Sequence, residues 1–205
     1  MDVFEAIRTR RSCRSFVPGL RIERRVLEDL FSLAVLAPSS FNLQPWRFLV
    51  VEDERMRARI RPIAKDQAQI TDSSALIVVC AHERPAEVAP DAFARRVESG
   101  QWTPERRERA LRAVDQLYPD DLARREYAIR NSTLAAAHIL LAAEGFGLTT
   151  CPIIGFDKPV LTTMLGVMPP WVISFLIAIG TRAKEEPARP PRHELARVVF
   201  YETLK

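Results

Sequence analysis

The spacing of apolar residues along the chain predicts a series of amphipathic helices. In each helix the apolar positions recur every three to four residues, which places them on one face for burial against a core. The segments with this pattern are 2–9, 22–36, 53–65, 92–98, 104–117, 121–144 and 157–165. Within the longest of them, residues 135–143 are apolar on all sides, which predicts a helix buried all round, in the centre of the fold or at a subunit interface.

Shorter apolar runs predict the strands. Residues 47–51 and 75–81 are apolar enough to be buried on both faces of a sheet, residues 172–180 form a third strand, and residues 198–201 form a last, shorter run. Strands that alternate with helices indicate an α+β fold, with a central mixed sheet flanked by helices. We expect one domain over residues 1–205.

Residues 83–125 differ from the rest of the chain. They contain four prolines and many Arg and Glu residues, and they lack enough apolar residues for a core of their own. We therefore predict a charged helical excursion from the main body, not a second domain.

Composition and charge exclude several classes of protein. The chain has 205 residues, no apolar run of the roughly 18 residues that a membrane helix needs, and no apolar segment near the N-terminus that would act as a signal peptide. Three widely separated cysteines argue against a disulfide framework and favour a reducing, cytoplasmic location. The net charge is +4, but the arginines are dispersed beside acidic residues and no basic run is interleaved with aromatics, so we expect no nucleic-acid partner and no membrane partner.

Histidine placement gives no indication of a metal site. The three histidines are scattered, without cysteine or carboxylate side chains at ligand spacing. His138 stands alone in an apolar run, which is more typical of a core or interface residue than of a ligand.

A polar loop lies between the second predicted helix and the first strand. Pro38 and Pro45 keep it out of both elements, and the residues between them include short hydroxyl and amide side chains: Ser39, Ser40, Asn42 and Gln44. Such a loop suits a flat ligand with polar edges, although side chains of this kind often only satisfy their own backbone.

A cluster of arginines follows the first helix. Arg10, Arg11 and Arg14 lie within five residues together with Ser12, and guanidinium groups bind phosphate oxygens bidentately. The alternative is a solvated helix C-terminus, where cations are favoured by the helix dipole.

Taken in order, the motifs of this chain resemble those of the nitroreductase family of FMN-dependent oxidoreductases. The matching segments are Arg10–Phe16, Ala37–Trp46, Pro152–Asp157, Leu165–Gly166, Ile179–Gly180 and the Pro/Arg-rich stretch 185–192. The resemblance implies a homodimer with FMN at the subunit interface. It also implies transfer of hydride from NAD(P)H through flavin N5 to a small-molecule acceptor such as a nitroaromatic or quinone, in a ping-pong cycle. The flavin would carry the chemistry, which agrees with the lack of a conventional acid–base or nucleophile set.

The resemblance also implies roles for particular residues. Arg10, Arg11, Ser12 and Arg14 would hold the FMN phosphate, joined by Arg192 or, as a weaker match, Arg189. The loop residues Pro38, Ser39, Ser40 and Asn42 would come from the other subunit. Gln67, with Gln69 as its rival, would meet the pyrimidine edge, and the segment with Pro152, Ile154 and Gly155 would place a backbone N–H at flavin N5.

Three further features follow from the same resemblance. The excursion would cover the flavin face, with Phe41, Phe93 and Trp102 lining the substrate pocket, although Phe93 and Trp102 are equally suited to fastening the excursion to the body. The 198–201 strand would add to the partner's sheet. Many relatives have Glu where this chain has Ile154, so the alternative is a flavin-binding or regulatory protein without NAD(P)H turnover.

Overall fold

The computed structural model describes residues 1–204 and is built around a four-stranded sheet. The strands are β1 (Trp46–Val51), β2 (Ala75–His82), β3 (Thr149–Ile153) and β4 (Trp171–Gly180), in the order β1-β2-β4-β3. All three pairings between them are antiparallel. The sheet is therefore antiparallel and not mixed as predicted, because the segment that runs parallel to β3 forms only an isolated bridge, between Ser12 and Thr150.

Eight α-helices within residues 1–204 surround the sheet. They are α1 (Val3–Thr9), α2 (Arg24–Ala34), α3 (Glu54–Ile63), α4 (Gln69–Asp72), α5 (Pro85–Glu98), α6 (Pro104–Leu117), α7 (Asp121–Gly145) and α8 (Lys158–Met164). Side-chain oxygens cap α1, α3, α6, α7 and α8 at their N-termini, as Asp2 was predicted to do for α1. The α+β class with helices on both faces is confirmed.

The two faces of the sheet build separate cores, because successive residues of a strand point to opposite sides. On one face, Ile77 and Ile177 pack with Leu30 of α2 and Ile139 of α7. On the other face, apolar residues of β2 and β4 pack with Ile60 of α3 and with α8.

The edge strands differ from the sequence expectation. β1 alternates between buried and exposed positions, and Leu49 is 39% exposed, because α2 and α7 cover only the face that carries Phe48. The prediction of burial on both faces is therefore wrong for β1. β3 was not predicted at all, since Pro152 interrupts its apolar pattern, yet an edge strand tolerates a proline.

The excursion consists of α5 and α6, as two helices were predicted there. α5 begins earlier than predicted, with Pro85 in its first turn, where the missing N–H costs nothing. A small apolar cluster that includes Phe93, Val114 and Tyr127 joins the excursion to β2 and α7.

α7 is not buried all round in this chain. Its buried face carries Ala135 and Ile139, while Leu134 is 43% exposed and His138 is also exposed. The Nδ1 atom of His138 lies 3.0 Å from the carbonyl oxygen of Leu134. The apolar pattern of residues 135–143 thus leaves a stripe of the helix uncovered.

The described part of the C-terminal segment, residues 183–204, contains no strand. A 3-10 turn covers Leu195–Arg197, and the predicted strand 198–201 is wrong for the single chain because no neighbouring strand lies beside it to share hydrogen bonds. Its four side chains, of Val198, Val199, Phe200 and Tyr201, are 45% exposed or more. Apolar residues of α1 are exposed as well, including Phe4 at 66%.

Within residues 1–204, no helix is both long enough and apolar enough to cross a lipid bilayer.

Candidate active site

The arginine cluster after α1 lies against β3. The N–H of Cys13 donates to the carbonyl oxygen of Thr150 over 2.9 Å, next to the Ser12–Thr150 bridge. The N–H of Arg14 donates to Oε1 of Glu186 in the C-terminal segment over 3.1 Å. Three parts of the chain that are distant in sequence therefore meet at residues 10–14.

The C-terminal segment adds Arg189 to this cluster. Its Nη2 donates to the carbonyl oxygens of Arg8 and Arg10, each over 2.7 Å. Partial desolvation lowers the pKa of Arg189, and the neighbouring guanidiniums of Arg11, Arg192 and Arg10 lower it further. Several cations thus lie close enough to repel one another.

No carboxylate relieves this repulsion within ion-pair distance in the described part of the chain, although many other arginines there are paired. Nη1 of Arg10 is buried without a hydrogen-bond partner. A phosphate, with its two negative charges and acceptor oxygens, fits this set of donors.

The two arginines of the tail differ in their contacts. Nη1 of Arg192, which matched the family pattern better, donates to the carbonyl oxygens of Pro190 and Pro191 in its own segment. Arg189 instead reaches residues 8–10. The geometry therefore favours Arg189 over Arg192 as the docked member of the cluster.

Gln67 connects the turn after α3 to the segment that follows β3. Its Nε2 donates to the carbonyl oxygens of Ala64 over 2.8 Å and of Gly155 over 3.2 Å. Nε2 of Gln69 donates in turn to Oε1 of Gln67 over 3.0 Å, and Gln69 is 8% exposed. The buried Gln69 thus orients Gln67, which is the better placed of the two to meet a ligand.

Lys65 also belongs to this region, although no sequence motif assigns it a role. A side chain built on Gly155 would place its Cβ 3.5 Å from Cδ and 3.7 Å from Nζ of Lys65, so the ammonium lies beside Gly155. Lys65 has a left-handed φ of 56°, which is a strained conformation for a lysine. No sequence signal near Lys65 indicates this position, because the contact is with a residue 90 positions away.

Exposed and buried side chains alternate from the end of β3 to the residue after it. Ile154 is 83% exposed and Pro152 is also exposed, whereas Ile153 between them is buried. Ile154 therefore presents a large apolar side chain to solvent next to Gly155, which lies beside Lys65 and Gln67.

The polar loop after α2 is held by α7 and by the excursion. The N–H of Ser40 donates to Oδ1 of Asn131 over 2.7 Å, and Oγ of Ser40 lies 2.6 Å from the hydroxyl of Tyr118. Oγ of Ser39 accepts from the N–H of Gln44 over 2.9 Å, so part of the loop does satisfy its own backbone. Pro38 precedes these anchored residues.

Three residues of this loop adopt left-handed backbone conformations. The φ angles are 54° for Phe41, 57° for Asn42 and 51° for Gln44. Non-glycine residues rarely adopt this region, and such strain persists only where the surroundings enforce it, often at binding sites.

The predicted pocket aromatics form a continuous series. The ring centres of Phe41 and Phe93 are 6.0 Å apart, and those of Phe93 and Trp102 are 5.0 Å apart. Phe93 is fully buried, so it supports the other two rings and does not itself line an open surface.

The structure thus forms two groups of predicted site residues. The phosphate-type cluster lies near Glu144. Burial raises the pKa of Glu144, and the guanidiniums of Arg182 and Arg10 oppose part of that shift. The polar loop is bonded to Asn131. Glu144 and Asn131 are both on α7, and at a rise of 1.5 Å per residue they lie about 20 Å apart. One chain does not bring the two groups together.

Other reactive side chains do not form a catalytic set. Cys13, Cys80 and Cys151 are free and buried, and burial raises the pKa of Cys80 and of Cys151 to about 11, which keeps them as inert thiols. Within the described residues, His, Cys, Asp and Glu side chains form no cluster that could hold a metal ion.

Comparison with known proteins identifies the family. The Nitroreductase family model matches residues 7–181. Protein DrgA of Synechocystis sp. is 33% identical over 92% of this chain and 88% of its own length, and the oxygen-insensitive NADPH nitroreductase of Helicobacter acinonychis is 28% identical over 92% of both chains. A nitroreductase-type crystal structure from Exiguobacterium sibiricum in complex with FMN has a TM-score of 0.88 and 28% identity, and covers 98% of both chains.

The chain therefore belongs to the nitroreductase family, and the family predicted from its motifs is confirmed.

Proposed function

We propose that this protein is an FMN-dependent NAD(P)H oxidoreductase that reduces nitroaromatics, quinones or similar small acceptors. The observation that carries the proposal is the docking of Arg189 onto residues 8–10, beside Arg10, whose Nη1 is buried without a hydrogen-bond partner. When bound, FMN would supply the transfer of hydride from NAD(P)H and of electrons to the acceptor in a second half-reaction, as a ping-pong cycle requires. The Helicobacter relative is named an NADPH nitroreductase, and the Exiguobacterium protein was crystallised with FMN. Both support this pairing of a nicotinamide donor with a flavin.

The arginine cluster and the residues around Gly155 would hold different parts of the cofactor. Arg10, Arg11, Arg14 and Arg189, with Ser12, would bind the phosphate, and Gln67 would contact the polar edge of the ring. Lys65 would place a positive charge beside the same edge and favour the reduced, anionic ring. Backbone N–H groups at Ile154 and Gly155 would be available for hydrogen bonds to the ring.

We further propose that the protein is a homodimer and that each cofactor site takes residues from both chains. The separation of the two groups along α7 supports this, because a ligand in contact with both groups of one chain would have to span about 20 Å. In a dimer, Pro38, Ser39, Ser40 and Asn42 of one chain would face the arginine cluster of its partner. Residues 1–205 would then form one FMN-binding domain, with the 83–125 excursion over the flavin.

The free edge of β1 supports the same assembly. β1 pairs only with β2 among the described strands, so its other edge has unpaired backbone groups. The exposed segment 198–201 of a partner chain would add to that edge and gain the hydrogen bonds it lacks in the single chain.

The visible spectrum of the purified protein, before and after anaerobic addition of NADH and then NADPH, tests the function. We expect flavin bands that bleach on reduction and return when a nitroaromatic or quinone is added. Bands that persist with both donors would favour the alternative, a flavin-binding or regulatory protein. A protein that takes up no FMN would refute both.

A substitution tests the phosphate site. Arg14→Ala should weaken FMN binding more than tenfold, which corresponds to about 1.4 kcal/mol. Arg59→Ala, an exposed arginine of α3, is the matched control and should leave the affinity unchanged. Equal FMN affinity for wild type and Arg14→Ala, measured by flavin fluorescence, would remove Arg14 from the site.

A further inference from the structure

Two arginines stack on one tryptophan at the turn between α5 and α6. The guanidinium carbon of Arg96 lies 4.6 Å from the centre of the Trp102 ring, and that of Arg106 lies 4.9 Å from the same centre. These distances are typical of cation–π contacts. Trp102 therefore carries one guanidinium from each of the two helices over its ring.

Hydrogen bonds fix the turn that carries them. The N–H of Trp102 donates to the carbonyl oxygen of Arg96 over 3.0 Å. The N–H of Arg106 donates to Oγ1 of Thr103, the N-cap of α6, over 3.3 Å. The turn is therefore fixed at its backbone, and the ring contacts restrict the two guanidiniums, so that binding a ligand costs them less conformational entropy.

Neither guanidinium is neutralised by an acidic residue. No carboxylate oxygen lies within ion-pair distance of Arg96 or Arg106 in residues 1–204, whereas Arg84 and Arg124 on neighbouring elements pair with acids at 2.9 Å and 2.7 Å. The sequence explains this difference. The residues three and four positions away on the same helix turns are not acidic: they are Ala92, Phe93, Ser99 and Gly100 for Arg96, and Trp102, Thr103, Arg109 and Ala110 for Arg106.

The stacked pair is connected to the loop that would face the flavin. Trp102 packs on Phe93 and Phe93 packs on Phe41, which lies between Ser40 and Asn42 in the strained loop. The Trp102 ring is partly exposed, so the series of three rings joins the loop to a surface that carries the two cations.

We propose that Arg96 and Arg106, held on Trp102, form an anion-binding pair that selects ligands with a negatively charged group at the edge of the flavin site. This inference rests on the proposed function and adds the ligand class. Guanidinium groups bind carboxylate and phosphate alike, so the anion is either a carboxylate on an aromatic acceptor or the 2′-phosphate of NADP(H).

Isothermal titration calorimetry on the oxidised holoprotein tests the pair without turnover. The ligands are two matched couples, 4-nitrobenzoate with neutral 4-nitrobenzamide, and NADP⁺ with NAD⁺. In the Arg96→Gln/Arg106→Gln variant, the preference for the anionic member of one couple should fall by about tenfold, as expected for the loss of two charge-assisted contacts. The ratio of kcat/KM values for the same couples of acceptors and reduced donors should fall in parallel.

The matched control is Arg95→Gln/Arg109→Gln. It removes the same charge from exposed positions on the same two helices, without a ring contact, and should leave both preferences unchanged. Near-ultraviolet circular dichroism verifies that Trp102 stays packed in each variant. If the glutamine variant does not fold, Arg96→Lys/Arg106→Lys keeps the charge but loses the planar fork, and it should give part of the same loss.

The outcomes distinguish the two sources of the anion. They also distinguish failure of the anion-binding pair from failure of the proposed function. A loss confined to the nitrobenzoate couple supports an anionic acceptor, and a loss confined to the NADP⁺ couple supports recognition of the donor phosphate. Equal losses in the stacked pair and in the control, or no loss in either couple, would overturn the anion-binding pair while flavin bleaching still stands. A protein without bound flavin or turnover would overturn the proposed function itself.

Discussion

Gly180, at the end of β4, has no room for a side chain. A Cβ there would lie 2.8 Å from the backbone nitrogen of Ser74 and 3.2 Å from the Phe16 ring, so the Ser74 backbone would have to move. We expect Gly180→Ala to lower the free energy of unfolding by about 1–3 kcal/mol, the usual cost of forcing atoms into a packed site.

Gly145 provides the control for this substitution. It closes α7, and an added Cβ meets nothing within 4 Å, so Gly145→Ala should be neutral or stabilise the protein by less than about 1 kcal/mol. Urea unfolding at one protein concentration measures both variants. Equal midpoints for the two would show that the Ser74 backbone adapts at no cost.

Glu144 predicts a pH dependence of stability. Burial raises its pKa, outweighing the opposing effect of Arg182 and Arg10, so folding favours the protonated carboxyl. The unfolded chain loses this proton near its ordinary pKa of about 4.3, and the folded chain loses it only at higher pH. The contribution of Glu144 to the free energy of unfolding is therefore fully present below a pH of about 4.3. It is lost as the pH rises through the pKa that Glu144 has in the folded chain.

Glu144→Gln removes this titration and should lose less stability than wild type as pH rises from mildly acidic to neutral. Chemical unfolding at a series of pH values measures the difference. Glu28→Gln, at an exposed position of α2, is the matched control. Parallel stability curves for wild type and Glu144→Gln would show that the two guanidiniums compensate the burial of the carboxylate.

At the scale of single elements, Asp157 shows why one family motif ends in an acid. Its side chain accepts from the N–H of Val160 over 3.1 Å and so caps α8, and its own N–H donates to the carbonyl oxygen of Ile63 over 2.9 Å. Asp157→Ala should cost about 1 kcal/mol of unfolding free energy, as for other N-caps, while Asp157→Asn should keep most of the cap. A urea midpoint for the alanine variant equal to that of the asparagine variant would contradict this role.

The sequence predicted elements best where their apolar period is undisturbed. Helices α2, α3, α6, α7 and α8 and strands β2 and β4 were found from spacing alone. β3 was missed because Pro152 breaks its pattern, and the exposed face of β1 was missed because strand burial depends on which helices cover the sheet. The strand at 198–201 was predicted from a pattern that a single chain does not satisfy.

At the scale of the whole molecule, sequence motifs located the candidate site only in part. The arginine cluster, the polar loop and the segment after β3 were all identified, because each concentrates unusual residues within a few positions. Lys65 and the orienting contact of Gln69 with Gln67 were not, because both depend on contacts between distant parts of the chain or on burial. That Arg189 and not Arg192 docks onto residues 8–10 is likewise a property of the folded tail.

The uncovered stripe of α7 leads to the last prediction, which concerns assembly. Leu134 is 43% exposed although its neighbours Ala135 and Ala136 are buried, and apolar side chains of α1 and of residues 198–201 are exposed as well. Burial of these surfaces in a second copy would stabilise a dimer, since apolar area removed from water contributes about 25 cal/mol per Å². Leu134→Glu would bury a carboxylate at such an interface and should yield a monomer in light scattering.

The same variant connects assembly to the cofactor. If each FMN site takes its polar loop from one chain and its arginines from the other, Leu134→Glu should lose FMN affinity although Leu134 belongs to neither group. Leu122, in the first turn of the same helix, is 69% exposed. Leu122→Glu is the matched control and should remain dimeric with its flavin. A monomeric wild type at micromolar concentration would rule out the shared site, and a monomeric variant that retains full FMN affinity would show that one chain is sufficient to bind the cofactor.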